Sequence, residues 1–326
     1  MNNKFVILFA LLLGLGSTMH AQKEIIDFLN AGKADANKLA NEYLRPYGEM
    51  LGVNLNSGWY TTAKVHSVAG FDFTLSTSYT KVPSGGKSFD ADPDVLGLKT
   101  VVPVGDNTFA PTMAGKESES LTMLNPETNL TFDVQGAGAD YLITPMLTGA
   151  VGLPYDTEIM GRFMPQVDFG DYGKMYLWGV GVKHSLKDYI PFVKRLPFLQ
   201  LSVLGAYTTF NSSVGVELNK DETGTLDMGA NAYTGRLLLG ANLPVVAFYT
   251  GVGYGSTKSN FDVKGAFPSM PGEDDDKVNP IALAYTTNGF DFNVGMRVRL
   301  AIFAIHADYS VGDYSVITAG VGINFR

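Results

Sequence analysis

From Val65 onward, apolar and polar residues alternate with a period of two. In Phe71-Asp72-Phe73-Thr74-Leu75-Ser76-Thr77-Ser78-Tyr79, odd positions are mostly apolar or aromatic and even ones polar. That period marks a β-strand with two unlike faces. It returns at Tyr141–Leu153, at Ile159, Phe163 and Val167 set against Glu158, Arg162, Gln166 and Asp168, and along Tyr176, Trp178, Val180 and Val182. Further runs are Phe198–Asn211, Met228–Ala241, Val245–Ser256, Gly289–Leu300, Ile302–Ser310 and Ser315–Arg326. Pro154-Tyr155-Asp156-Thr157 and Gly170-Asp171-Tyr172-Gly173 read as tight turns. The count is ten strands, mostly of 10–15 residues. Soluble strands average about 5–6 residues, whereas membrane-spanning strands need about 9–11. Only a closed barrel satisfies every backbone group in lipid. The pattern therefore predicts an all-β chain: a transmembrane antiparallel up-and-down barrel of about ten strands.

The connections are unequal. Lys81–Ala139, Ser212–Asp227 and Thr257–Asn288 are long and polar, while Pro154–Thr157 and Asn242-Leu243-Pro244 are short. Long outer loops with short periplasmic turns are the expected asymmetry. The long first loop has room for two more strands, for example near Val95–Val104, and totals of twelve or fourteen stay open. A secreted β-sandwich would also alternate, but an exposed row such as Phe290, Phe292, Val294, Met296, Val298 and Leu300 suits lipid better.

Two segments lie outside this pattern. Lys4, the apolar run Phe5–Leu15 and small Ala21 before Gln22 form a secretory signal over 1–21, which implies a mature chain outside the cytoplasm. Gln22–Asn56 is helical in period: Ile25, Ile26, Phe28 and Leu29 first, then a second helix capped by Asp35 and carrying Leu39, Tyr43 and Leu44, with Pro46 expected to break or restart it. This segment reads as a plug or a periplasmic cap, and 57–326 as the barrel.

Composition agrees. Charged residues are only 17% of 326 and hydrophobic ones 45%, with 37 Gly and no Cys. Disorder, a helical membrane bundle and a disulfide or zinc-cysteine scaffold are thereby excluded. A net charge of −8 argues against nucleic acid as a partner; the expected partner is outer-membrane lipid. No cofactor or metal is implied. Asp90-Ala91-Asp92-Pro93-Asp94 lacks the Gly and Glu of a calcium loop, with Val95 and Val101 in their places. Glu273–Asp276 reads as a solvated loop, with weak divalent binding as the alternative. Gly251-Val252-Gly253-Tyr254-Gly255 lacks dinucleotide-fingerprint spacing, and its glycines relieve crowding or permit bending.

Candidate chemistry lies on the inward faces. Met146, Met160 and Met164 line an adaptable, partly apolar lumen, suited to a packed plug or a hydrophobic small molecule. Arg162, Lys183, Arg236, Arg297 and Arg299 project inward with His306 and Asp308. The last two share a face, so they read as part of a polar network or as a hydrolytic Asp-His pair. Inward Gly320 and Gly322 leave room for a helix or a ligand. Lys183–Arg195 is basic and amphipathic. Its Tyr189, Ile190 and Phe192 suit the membrane interface, its Lys187, Lys194 and Arg195 suit phosphates, and docking of a periplasmic partner is the alternative.

Gly152-Leu153-Pro154-Tyr155-Asp156-Thr157-Glu158-Ile159-Met160-Gly161-Arg162-Phe163-Met164-Pro165, Leu177-Trp178-Gly179-Val180-Gly181-Val182-Lys183-His184, Ile190-Pro191-Phe192 and Asn56-Ser57-Gly58-Trp59-Tyr60-Thr61-Thr62-Ala63-Lys64 together resemble an uncharacterised family of Bacteroidetes outer-membrane barrels. That family is distantly similar to the long-chain fatty-acid transporters. The resemblance implies an N-terminal plug and passage of hydrophobic compounds past it; a plugged structural barrel and a membrane hydrolase are the competing readings. No ligand residue is carried across, and the transporters' Asn-Pro-Ala segment has no clear match in 22–56, so their gating mechanism is not carried across either.

Overall fold

The computed structural model describes residues 27–168, 173–219, 222–264 and 281–325. The signal segment, Ile25, Ile26, most of the Gly170–Gly173 turn and Glu273–Asp276 lie outside them. Ten strands close into one antiparallel barrel: β1 (Phe71–Lys81), β2 (Tyr141–Leu153), β3 (Thr157–Asp168), β4 (Lys174–Ser185), β5 (Leu199–Asn219), β6 (Glu222–Asn242), β7 (Val246–Lys264), β8 (Ile281–Leu300), β9 (Phe303–Val311) and β10 (Val316–Phe325). Each strand pairs with its neighbours in sequence. The seam closes where β1 meets β10, from Phe71 opposite Phe325 to Thr80 opposite Val316. At Pro154–Thr157 the residues Tyr155 (φ 61°) and Asp156 (φ 49°) are both left-handed, the backbone that a two-residue hairpin needs to match strand twist.

The exterior carries an apolar belt between two aromatic girdles. At the long-loop edge, Trp178, Tyr207, Tyr233, Tyr254 and Phe290 follow one another around the wall, with centroids 4.9–5.7 Å apart between contacting rings. Tyr79 stacks on Tyr141 on the other side. At the short-turn edge, Phe71 stacks on Phe325 at 4.9 Å. Phe71 and Tyr79 are eight residues apart on β1, about 26 Å of strand at ~3.3 Å per residue. Allowing for strand tilt, that matches the apolar band of membrane-spanning barrels, about 25 Å tall.

Two of the three expected long loops, Ser212–Asp227 and Thr257–Asn288, are strand over the residues described in them (212–219, 222–227, 257–264 and 281–288). β5 to β8 have 21, 21, 19 and 20 residues, so each runs roughly 65 Å and rises well past the belt. Within the belt, β7 points Phe248, Val252 and Tyr254 outward. Above it the polarity inverts: Lys258, Asn260 and Asp262 face out, while Phe261 and Val263 are buried inside. A polar exterior looks like a loop when lipid-facing residues are the guide, although the period of two persists. Nor does Val95–Val104 add barrel strands. Val102–Pro103 pairs with Ser120–Asn125 and that with Leu130–Gln135, while Ser88–Asp90 pairs with Phe109–Pro111. These are two small sheets within the 82–140 segment, separate from the barrel.

The upper wall surrounds a single helix, α1 (Gly32–Asn56), preceded by a 3-10 turn at Phe28–Ala31. Pro46 neither breaks nor restarts it; packing on all sides outweighs one missing backbone donor. Leu39, Tyr43 and Leu44 form one core with Phe28, with Phe89, Met123 and Phe132 from the 82–140 segment, and with Leu226, Met228, Phe261, Ile281 and Leu283 from the wall. Asp35 is not the helix cap. It lies in the first turn and accepts from the Lys99 and Thr100 amides and the Thr100 hydroxyl, each at 2.7 Å. Burial alone would push this carboxyl up. The Thr100 and Lys99 donors, helped by Lys38, outweigh that and hold it below the ordinary carboxylate value. The aspartates at 90–94 have local work: Asp92 caps the short helix Pro93–Leu96 through the Asp94 amide at 2.8 Å.

Candidate functional site

The helix lies inside the barrel rather than capping it, and mostly above the belt. Its N-terminal end packs under the long-loop segment and its C-terminal end stops at belt level. The belt interior is filled by the next residues, a non-helical tether over 57–70 that descends to β1. The physical plug therefore extends beyond the expected boundary at 56, and the short-turn mouth holds tether, not helix.

Helix C-termini leave carbonyls without intrahelical partners, and cations near them are favourable. Two of the expected lumen cations fill this role. Arg162 on β3 donates to Leu55 O (2.8 Å) and to Ser57 O, and its guanidinium lies 4.1 Å from the centroid of the Trp59 ring. Arg236 on β6 donates to Asn56 O (3.3 Å) and grips Asp291 with both terminal nitrogens, at 2.6 and 2.8 Å. Asn54 donates to Thr144 Oγ1 (3.0 Å) on β2, and Asn56 to Thr257 Oγ1 (2.9 Å) on β7. The helix end is thus held from several sides of the barrel.

The tether descends along inward glycines. A Cβ on Gly181 would lie 3.2 Å from the Trp59 ring, one on Gly251 would lie 2.6 Å from Tyr60 Oη, and one on Gly255 would lie 2.8 Å from Asn56 Nδ2. The Gly251–Gly255 run is therefore a cradle for the chain's own plug. Tyr60 donates to Asn293 Oδ1 at 2.6 Å, and Ser202 to Ala63 O at 2.9 Å. At the bottom, the His66 amide donates to Glu158 Oε2 (3.0 Å) and His66 Nδ1 lies 2.7 Å from the same oxygen. Lys183 pairs with Glu158 at 2.9 Å, and Asn324 Nδ2 lies 2.7 Å from His66 Nε2.

The remaining expected residues distribute as follows. Met146 lies beside Gly58. Met160 packs with Trp59, while Met164 joins Met175, Leu177 and Phe210 around Met50, Leu51 and Leu55 of the helix. The methionines thus touch plug residues. Arg297 is buried, 3.9 Å from Asp72. Arg299 is not in the lumen: it is exposed at the short-turn rim and donates to Pro244 O. His306 and Asp308 are both buried on β9 but are not hydrogen-bonded to each other. Asp308 accepts from Tyr249 Oη at 3.1 Å, and His306 Nε2 has no hydrogen-bond partner among the described residues. The room above Gly320 is taken by the His306 ring and that above Gly322 by Thr74. Lys187 is likewise engaged internally, on Leu196 O and Pro197 O. Asn54, Asn56, Trp59, Tyr60 and His66 were missed as site residues, although glycines alternating on one strand face do signal a close neighbour.

A closed antiparallel barrel with an apolar belt, aromatic girdles and an internal plug is the architecture of a membrane-spanning barrel. The chain matches over residues 1–325 a family of unknown function, DUF6588, and belongs to it. No curated protein matches it. Among solved structures it is similar to the translocator domain of the autotransporter NalP from Neisseria meningitidis (11% identity, 88% of this chain and 99% of that one, TM-score 0.35). It is also similar to the outer membrane protease OmpT from Escherichia coli (9%, 79% and 96%, 0.35) and to the Ralstonia pickettii toluene transporter TbuX (7%, 84% and 93%, 0.26). Likenesses at these scores carry no argument about this chain's chemistry.

Proposed function

We propose that this chain is an outer-membrane barrel held shut by its own N-terminal segment, with the 82–140 layer and the tall β5–β8 wall on the cell surface and the short turns in the periplasm. One observation carries this reading: helix and tether fill the lumen from one rim to the other, bonded to inward side chains on β2, β3, β6, β7 and β8. A cavity of about 170 Å³ against the helix is lined by Glu49, Asn56, Asp291 and Asp313 among others. In planar bilayers the full chain should show negligible conductance. Arg162→Gln combined with Arg236→Gln should produce openings, because the helix end loses its donors. Steady conductance from the unaltered protein would end the closed reading.

A second reading, passage of small hydrophobic compounds when the segment yields, is favoured by the helix face formed by Met50, Leu51 and Leu55. It meets Met164, Met175, Leu177, Ala230 and Ala232, an apolar side-chain seam along which adaptable thioethers can repack. Its test is uptake of fatty acids and alkanes into liposomes. The double-arginine variant should exceed the native chain, and equal, negligible uptake by both counts against it.

A further inference from the structure

At the short-turn rim, a groove of about 380 Å³ is bounded by Lys64 of the tether, by Pro197 and Phe198 before β5, by the Leu243–Val245 turn, and by Arg297 and Arg299 at the end of β8. Three cations therefore line one concavity. Among the described residues, the only carboxylate within ion-pair distance of any of them is Asp72, 3.9 Å from Arg297. Among the described residues, Lys64 and Arg299 have no carboxylate partner, and Arg299 spends one nitrogen on Pro244 O at 3.3 Å. The other half of the groove is apolar and open: Phe198, Leu243 and Val245 are each exposed, below the belt residues Leu237, Leu239 and Phe248. Lys187 fixes the Pro197 wall through its bond to that carbonyl, 2.9 Å. Beside it, Tyr189 and Phe192 are each 69% exposed, next to Lys194 and Arg195.

Unneutralised cations attract an anion, and guanidinium and ammonium groups match phosphate oxygens in charge and geometry. An apolar ledge continuous with the belt accommodates an acyl chain. We propose that this groove binds the headgroup of an anionic phospholipid of the inner leaflet, its phosphate between Lys64 and Arg299 and the start of its acyl chain over Phe198, Leu243 and Val245. The inference rests on the membrane placement proposed above. It assigns the basic 187–195 segment to the same lipid-facing rim, which this site anchors at a fixed height.

The test uses the mature chain, delipidated in a zwitterionic detergent, with phosphatidylglycerol, phosphatidylcholine or inorganic phosphate added and bound lipid counted by native mass spectrometry. Phosphatidylglycerol should bind at least tenfold more tightly than phosphatidylcholine. Lys64→Gln with Arg299→Gln should abolish that preference, whereas Lys258→Gln, the loss of one positive charge on the far exterior, should leave it intact. No preference in the native chain, or a preference that survives the double substitution, overturns the site. So does displacement of phosphatidylglycerol by equimolar inorganic phosphate, which would make the occupant a free anion. Protease protection in liposomes is scored separately. A native chain that inserts but binds both lipids alike loses the headgroup site alone, and one that fails to insert loses the membrane reading.

Discussion

β7 passes through two environments within nineteen residues, and its two halves are built on opposite rules. In the belt, Phe248, Val252 and Tyr254 point outward, and Tyr249, Gly251, Gly253 and Gly255 point inward. Above the upper girdle, Lys258, Asn260 and Asp262 point outward, and inward Thr257 and Ser259 give way to Phe261 and Val263. The lower half is a membrane wall around a polar-latched tether. The upper half is an ordinary protein core in which strands, helix and the 82–140 segment shield one another from water. The hydrogen-bond ladder is indifferent to this change; only the solvent outside differs. The contrast teaches that alternation reports a strand, while which phase is apolar reports what surrounds it.

The comparison can be broken most severely in the upper core. Phe261 packs edge-on against both Tyr47 and Tyr285. Phe261→Ala should cost about 3–5 kcal/mol, seen as faster protease cleavage within 82–140 while the belt keeps its heat-resistant migration on gels. Loss of belt and upper core together would show that they are one cooperative unit. Next comes the exterior. Val252→Lys places a charge in the belt and should cost about 2–4 kcal/mol of folding into liposomes, whereas Lys258→Val, six residues further up, should change stability by less than about 0.5 kcal/mol. Equal effects would remove the boundary between the two regions. Gly181→Val crowds Trp59 and should cost about 1–3 kcal/mol. In a Trp178→Phe background, where Trp59 is the remaining one of two tryptophans, its emission should shift to the red. An unmoved spectrum would mean that the tether does not depend on that close fit.

The smallest effect concerns Asp35. Its folded carboxyl titrates below the ordinary value, so the stabilisation it gives is present above pH ~4 and is lost as pH falls through the lowered value. Acid should therefore loosen the join between α1 and residues 99–100 before it affects the belt. Asp35→Asn should cost about 1 kcal/mol and flatten that acid response in hydrogen exchange of the Lys99 and Thr100 amides. Unchanged acid sensitivity in the variant would assign it to another group.

Much of the barrel is legible in the residues themselves. Strand number, the last run as a strand and the tight turn at Pro154–Thr157 follow from local pattern and length, whereas the left-handed backbone at Tyr155 and Asp156 and the pairing of the last run with the first are seen only in the fold. The upper halves of β5 to β8 are not, because Lys258, Asn260 and Asp262 face water and so lack the lipid-facing signature, although Phe261 and Val263 keep the period. The inward direction of Arg162, Lys183 and Arg236 follows from pleat parity. Their partners do not, since Leu55 O, Glu158 and Asp291 are brought near only by the fold. Arg299 shows the limit of parity: at a strand end, the inward phase opens onto the rim.

Phe28 lies at the rim of the tall wall and Phe71 at the opposite rim, so the intervening chain traverses the bore of a sheet whose seam, β1 against β10, is hydrogen-bonded along ten residue pairs. The Trp59 and Tyr60 rings lie close against Gly181 and Gly251 of that cylinder. Cylinder and occupant are also one covalent piece, so the occupant is present at the concentration its own linkage sets and not at that of a separate partner.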